Sequence, residues 1–199
     1  MNHYFTENRD LLTNERVLAL EIFDIHFRFY SNNGLFSCDR VDDASITLLQ
    51  SIPPLASSST LLDLGCGYGT LGIVLAKVYG VTLTMADVNG IAVEYATKNA
   101  VHNGIQNFTA LQSDCYTNIS SKFDNIVLNP PIHAGKDIMY KMYEEAVLHL
   151  NPGGALHIVI QKKHGAESTI KNLGNIFAQV DILYRKKGCF VVRAAIDLS

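Results

Sequence analysis

Cysteine is scarce in this sequence, and Cys38, Cys66, Cys115 and Cys189 stand far apart with no Cys-x-x-Cys pair among them. Such spacing favours small buried thiols over a disulfide or metal framework. No apolar run approaches the ~20 residues that a membrane span requires. The first ten residues also lack the basic flank and apolar stretch of a secretory leader. A cytoplasmic location with no membrane contact and no metal is therefore expected. Internal repeats and low-complexity segments are absent, and residues 56–59 form only a short polar linker. With 16 Lys and Arg against 19 Asp and Glu, the net charge of −3 gives no support to nucleic-acid binding when taken alone. The deficit is uneven: 6 basic residues face 12 acidic ones before residue 120, and 10 face 7 after it. Cationic groups gather at Lys162-Lys163-His164, Arg185-Lys186-Lys187, Lys136 and Lys141. They read either as solvated surface or as a basic rim that attracts phosphates.

What is present is an alternation of strands and helices in 199 residues, a length that buries a full core in one domain. Residues 26–30 and 35–37 read as an extended pair joined through Ser31-Asn-Asn-Gly34, a hairpin by its Asn-Gly turn. A helix over 42–51 follows, stopped by Pro53-Pro54. From residue 60 the periodicity predicts strands at 60–64, 81–86, 107–112, 125–128, 155–160, 179–184 and 189–196. Helices are predicted at 70–79, 89–103, 137–150 and 167–175, and Pro152-Gly-Gly154 breaks the chain before the 155–160 strand. Strands separated by helices imply parallel crossovers and a sheet covered on both faces. The Arg185-Lys-Lys-Gly188 link is too short for a crossover, so the last strand must return antiparallel. The expected organisation is an N-terminal extension over 1–55, holding hairpin and helix, packed on a core domain over 56–199. The expected fold is α/β: a Rossmann-like, seven-stranded, mostly parallel sheet with an antiparallel C-terminal hairpin and helices on both faces.

Two motifs sit at predicted strand ends. Asp63-Leu-Gly65-Cys66-Gly67-Tyr-Gly69 follows the 60–64 strand, where open α/β sheets bind ligands, and its glycines let a ligand lie against bare backbone. It suits S-adenosylmethionine (SAM), with Asp63 facing the methionine ammonium. Gly67-Tyr-Gly69-Thr-Leu-Gly72 also matches GxGxxG with Asp87 twenty residues on, a dinucleotide pattern. Against that reading stand the early turn at Asp63-Leu-Gly65, the lack of a second substrate domain and the C-terminal hairpin. Asp87, followed by Val88, can accept from both ribose hydroxyls and also stands where the next helix needs an N-cap. Ser113-Asp114-Cys115 ends the third core strand, with Asp114 placed for the adenine amine or as a solvated loop acid.

The second motif, Asn129-Pro130-Pro131-Ile132, ends the 125–128 strand. The Asn129 side-chain oxygen and the Pro130 carbonyl can accept both hydrogens of one amino group. A delocalised nitrogen held in that way directs its lone pair at a sulfonium methyl, so methyl transfer proceeds through orientation without a strong base. The prolines stiffen the segment. An aromatic that stacks on a base often follows such prolines; here Ile132 supplies no π face. Phe36, beside Ser37, is the candidate stacking ring, with a core role as the alternative. His133 either meets the substrate or is a plain loop histidine. Lys136, Lys162 and Lys163 complete the expected substrate-binding set.

Together Gly34-Leu-Phe-Ser37, the 63–69 loop, Asn129-Pro-Pro-Ile-His-Ala-Gly-Lys136 and Ile158-Val-Ile-Gln-Lys-Lys163 resemble the methyltransferase small domain family from about residue 20 to the end. That family includes 16S rRNA guanine-N2 methyltransferases. The resemblance implies a class I fold, SAM as donor and an exocyclic guanine amine of rRNA, free or in the small ribosomal subunit, as acceptor. The sequence departs from the family pattern in two places. Asp42-Asp43-Ala44-Ser45 replaces the usual Asp-x-Gly-Ser, and Ile132-His133 stands where Arg or an aromatic pair is common. The duplicated N-terminal domain of the best-known members is not seen in this sequence. Adenine N6 or a glutamine side-chain amide is the alternative acceptor. A non-catalytic SAM- or RNA-binding module is the alternative of another class. A monomer or weak homodimer is expected.

Overall fold

The computed structural model describes residues 15–35 and 37–197. Two strands open it, β1 (Arg16–Ile22) and β2 (Ile25–Ser31), paired antiparallel from Arg16↔Ser31 to Ile22↔Ile25. A hairpin is present, but not the expected one. Residues 26–30 are a strand whose partner lies upstream, and neither Leu35 nor Ser37 lies in a strand. The two-residue link Phe23-Asp24 takes φ of 55° and 59°, as a tight hairpin loop demands at both positions even without glycine. Asn32-Asn33-Gly34 makes a turn of another kind. The Asn32 side chain accepts from Gly34 N–H at 2.8 Å, and its carbonyl accepts from Leu35 N–H at 3.1 Å, an Asx turn that bends the chain without pairing it.

Leu18, Leu20, Phe27 and Phe29 alternate onto the buried face of this hairpin. The outer edge of β2 meets α3 (Gly90–His102) through side-chain amides in place of a third strand. Asn99 bridges Tyr30 N–H and C=O at 2.7 and 2.9 Å, and Asn103 does the same for Arg28 at 3.2 and 2.9 Å. Each bond contributes about 0.5–1.5 kcal/mol net. They also keep the edge from pairing with another chain. Helix α1 (Asp43–Ser51) runs as the sequence predicts. Asp42 caps it by accepting from Ser45 N–H at 3.0 Å, and the chain turns extended at Ile52 before Pro53.

Seven strands form the main sheet: β3 (Thr60–Leu64), β4 (Thr82–Asp87), β5 (Phe108–Gln112), β6 (Phe123–Leu128), β7 (Leu150–Gln161), β8 (Gln179–Lys186) and β9 (Cys189–Ala195). Their order is β5-β4-β3-β6-β7-β9-β8, with β9 antiparallel to both neighbours and the rest parallel. Helices α2 (Thr70–Tyr79), α3, α4 (Lys136–Ala146) and α5 (Ala166–Ile176) cover it. Side chains along the central strands alternate between two cores. Leu61, Val127 and Val159 face α1, α2, α3 and the hairpin, while Leu62, Leu64, Ile126, Leu128, Leu156 and Ile158 face α4 and α5. Helix α4 stops earlier than expected, giving way to a 3-10 turn at Val147–His149. Strand β7 begins at Leu150, not 155, with Pro152-Gly-Gly154 absorbed as an irregularity of its pairing with β6. No helix among the described residues is long and apolar enough to cross a membrane.

Candidate functional site

The carboxyl ends of β3, β4, β5 and β6 open onto one cavity of about 590 Å³, on the side where open α/β sheets bind ligands. Its floor is the 65–69 loop. Gly65, Gly67 and Gly69 take φ of 65°, 55° and 92°, left-handed values that suit glycine. A Cβ on Gly67 would meet nothing within 4 Å, so bare backbone faces open space there. A Cβ on Gly72 would stand 3.0 Å from Asp63 Oδ2 and 2.7 Å from Leu83 Cδ1. Glycine at 72 thus lets α2 press against β3 and β4.

Two acids lie under the loop. Asp63 is 1% exposed and accepts from Gly72 N–H at 2.7 Å. Burial, with the nearby Asp87 adding to it, raises its pKa to about 7. Asp87 is also raised by burial. One of its oxygens accepts from Gly67 N–H at 2.8 Å and the other from Asn89 N–H at 2.9 Å. Asp87 is not the N-cap of α3; Asn89 takes that place, accepting from Ile91 N–H at 3.0 Å. The Asp87 carboxylate instead ties the glycine loop to the end of β4. Val88 is half-exposed at the cavity wall.

Past β5, Asp114 is exposed and lines the cavity. Ser113 is buried, its hydroxyl donating to Cys115 C=O at 2.9 Å and accepting from Asn118 N–H at 3.1 Å, which shapes the turn. Cys66 and Cys115 both line the cavity as buried thiols. Burial pushes Cys115 up to about 11 and Cys66 well above its ordinary value, so neither is a reactive thiolate.

Asn129 follows β6, the strand paired with β3, and lines the same cavity. Its Nδ2 donates to Asp42 Oδ2 at 2.9 Å and to Ser45 Oγ at 3.0 Å, and no described residue donates to its Oδ1. The Pro131 carbonyl accepts from Ala134 N–H at 2.9 Å within the 3-10 turn Ile132–Ala134, whereas no described backbone N–H reaches the Pro130 carbonyl. Ile132 and His133 line the cavity, as does Ser37, whose carbonyl accepts from Tyr68 Oη at 3.5 Å. Phe36, the expected stacking ring, lies outside the described residues.

The expected lysines surround the mouth but do not line it. Lys162 and Lys163 occupy a 3-10 turn after β7, and Lys162 Nζ lies 3.9 Å from Glu167. The same turn carries His164, which does line the cavity; partial burial and the charges of Lys163 and His133 lower its pKa. A Cβ on Gly165 would stand 4.0 Å from Lys136 Cε, which brings Lys136 to the same rim. Lys162 N–H donates to Gly188 C=O at 2.7 Å, so the Arg185–Lys187 turn adjoins the cluster. Sequence reasoning placed His164 only in a basic cluster and gave no role in the site to Ile138, Asp42 or Ser45. The sequence sets Asp42 at the start of a helix, but nothing local shows that its side chain also reaches residue 129.

Comparison with known proteins agrees with this geometry. The family model for the methyltransferase small domain matches residues 26–193. The uncharacterized Bacillus subtilis protein YbxB is 38% identical over 195 residues, covering 96% of this chain and 97% of that protein. The ribosomal RNA small subunit methyltransferase C of Aeromonas hydrophila is 42% identical over 131 residues, 63% of this chain. The chain spans only 37% of that relative's length. Among solved structures, the T. thermophilus 16S rRNA N2 G1207 methyltransferase in complex with AdoMet and guanosine superimposes with a TM-score of 0.83. It shares 27% identity with this chain, over 92% of this chain and 50% of its own. By sequence, sheet order and the loop under its cavity, this chain belongs to the methyltransferase small domain family of SAM-dependent enzymes.

Proposed function

We propose that the protein methylates the exocyclic N2 amine of a guanine in 16S rRNA, free or within the small ribosomal subunit. The observation that carries this reading is Asn129. Its amide nitrogen is engaged by Asp42 and Ser45, and its oxygen, beside the Pro130 carbonyl, remains for an incoming amino group in the cavity that the glycine loop floors. The support for guanine is a relative solved with guanosine, whose N2 target its name states.

SAM, when bound, supplies an electrophilic methyl on a sulfonium. The chain's own residues hold it and aim the acceptor. The bare backbone at Gly67 admits close approach, Asp87 can accept from ribose hydroxyls, Asp63 can face the ammonium and Asp114 the adenine amine. On the acceptor side, Asn129 Oδ1 and the Pro130 carbonyl accept the two amino hydrogens, which turns the nitrogen lone pair toward the methyl. Both dipoles stabilise the positive charge that develops on that nitrogen. The nitrogen sheds one proton for the methyl it gains, and His133, exposed at the mouth, can pass it to solvent.

Labelled SAM incubated with unmodified 16S rRNA, reconstituted small subunits and tRNA, followed by nucleoside digestion, tests the acceptor. N2-methylguanosine from the rRNA is the expected product. N6-methyladenosine, or label in a protein glutamine, would replace the acceptor. Retained SAM with no label transferred anywhere would make the chain a binding module.

The pKa of Asp63 gives a pH dependence. A carboxyl raised from 3.8 to about 7 favours its protonated form in the free protein. Its contribution to stability is fully present below pH 3.8 and is lost as pH rises from there to about 7. A cationic ligand reverses the preference, so binding at pH 6 should expel a proton. SAM affinity should climb with pH toward about 7, by up to ~10-fold per pH unit, and level off above it. Calorimetry in buffers of unlike ionisation enthalpy checks this; equal proton release at pH 6 and 8 would remove Asp63 as the ammonium's partner.

The basic rim sets the salt dependence. Replacing Lys162 and Lys163 by Ala should weaken binding to 16S rRNA and reduce the slope of log K against log salt by roughly 1 for each phosphate no longer neutralised. SAM affinity should not change. An RNA affinity with the same salt slope in the double variant would show that the cluster is only solvated surface.

A further inference from the structure

An asparagine side chain has two ends of nearly equal shape, and only the oxygen can accept from a substrate amine. In this fold its neighbours decide which end faces the cavity. Asn129 Nδ2 meets Asp42 Oδ2 at 2.9 Å and Ser45 Oγ at 3.0 Å. A carboxylate only accepts hydrogen bonds. Rotating the amide by half a turn would therefore set its oxygen against Asp42 Oδ2 at bonding distance, at a cost of several times RT, even though the Ser45 hydroxyl could turn to donate to it. The carboxylate thus fixes the orientation.

Asp42 is itself held rigidly. The same Oδ2 accepts from Ser45 N–H at 3.0 Å, and Ser45 Oγ leans on it at 3.4 Å. All three of these bonds fall on one oxygen, at the first turn of α1. Ser45 is buried, and Asp42 and Ser45 both line the cavity. A charge-assisted bond to the NH₂ also draws electron density toward the amide oxygen, which makes that oxygen a better acceptor.

We infer that Asp42, with Ser45, is the positioning residue of this enzyme: the cap of α1 selects and polarises the oxygen face of Asn129 for the methyl acceptor. The inference rests on the proposed role of Asn129 in holding the acceptor amine. Asp42 touches neither donor nor acceptor in this role and acts through Asn129 alone. Helix α1 is thereby part of the catalytic machinery, although it precedes the sheet that carries the donor site.

Asp42→Ser separates capping from positioning. Serine is as good an N-cap as aspartate, so α1 should persist and the melting temperature should stay near wild type. The serine oxygen is one bond shorter than the carboxylate and its hydroxyl both donates and accepts, so it no longer selects one face of Asn129. With labelled SAM and unmodified small subunits reconstituted from transcribed 16S rRNA, the single-turnover rate at saturation should fall about 10- to 100-fold while SAM Kd and the acceptor KM hold. Ser45→Ala should lower the same rate by about threefold to tenfold. The double variant Asp42→Ser/Asn129→Ala should be no slower than Asn129→Ala, because the first change acts only through the second residue. A second readout needs no acceptor: the Asn129 side-chain NH₂ resonances, identified by their loss in Asn129→Ala, should exchange slowly with solvent in wild type and quickly in Asp42→Ser.

A rate in Asp42→Ser within twofold of wild type, or additive losses in the double variant, would overturn the inference while leaving the role of Asn129 standing. Fast exchange of the Asn129 NH₂ in the wild-type protein would overturn it also. An Asn129→Ala enzyme that keeps its full rate would overturn the catalytic reading and the inference together.

Discussion

Asn129→Ala is expected to slow methyl transfer by about two to three orders of magnitude under single-turnover conditions while leaving SAM affinity almost intact. The lone pair of an exocyclic base amine is delocalised into its ring, so the chemical barrier depends on holding that nitrogen in a productive orientation. Truncation removes Oδ1, one of two acceptors for the amino hydrogens, and leaves the Pro130 carbonyl to act alone. The Asn129 hydrogen bonds run to Asp42 and Ser45, whereas those of Asp63 and Asp87 run to Gly72, Gly67 and Asn89, so the donor keeps Asp63, Asp87 and the loop. Strand β6 should not suffer, since Ile126, Val127 and Leu128 are fully buried and untouched. Rapid-quench kinetics with labelled SAM, beside calorimetry, separates the two quantities. Turnover close to wild type would reduce Asn129-Pro130-Pro131 to a turn.

Asp87→Ala should raise the Kd for SAM about 30- to 1000-fold, the equivalent of ~2–4 kcal/mol for charge-assisted bonds to two hydroxyls. The geometry makes the upper part of that range the expectation. Besides any ligand contact, the carboxylate ties Gly67 N–H and Asn89 N–H together, and its removal leaves the loop amide without its partner just where the ligand must approach. Helix α3 should survive because its cap is Asn89. Calorimetry with a melting curve on the same sample is the check. An unchanged affinity would remove Asp87 from the donor site.

The glycine loop and the Asn-Pro-Pro segment were legible because each is a local requirement. A chain that turns with positive φ at residues 65, 67 and 69 has to use small residues there, and a stiff segment at a strand end suits proline. The antiparallel return of β9 was legible for a similar reason, since four residues cannot cross a sheet. The N-terminal hairpin was misread because its turn, Phe23-Asp24, carries neither glycine nor asparagine, while Asn32-Asn33-Gly34 carries both. Packing of Phe27 and Phe29 against the core outweighed the local turn preference. The early start of β7 was hidden because pairing with β6 tolerates a proline and two glycines at an irregularity of register.

Sequence alone determined the order of strands and helices from residue 60 onward, the antiparallel C-terminal return, and the placing of two chemical motifs at strand ends. All of these depend on side-chain periodicity, backbone sterics and connection length, which act over a few residues. Tertiary structure alone decided which groups meet. Asp42 reaches Asn129 across 87 positions, Lys162 joins the turn at Gly188, and Asp87 ties down the loop at Gly67. Each meeting depends on how crossovers stack helices and strands about a shared core. A short pattern carries no record of that arrangement, because the same cap, turn or basic pair folds identically whatever is packed against it.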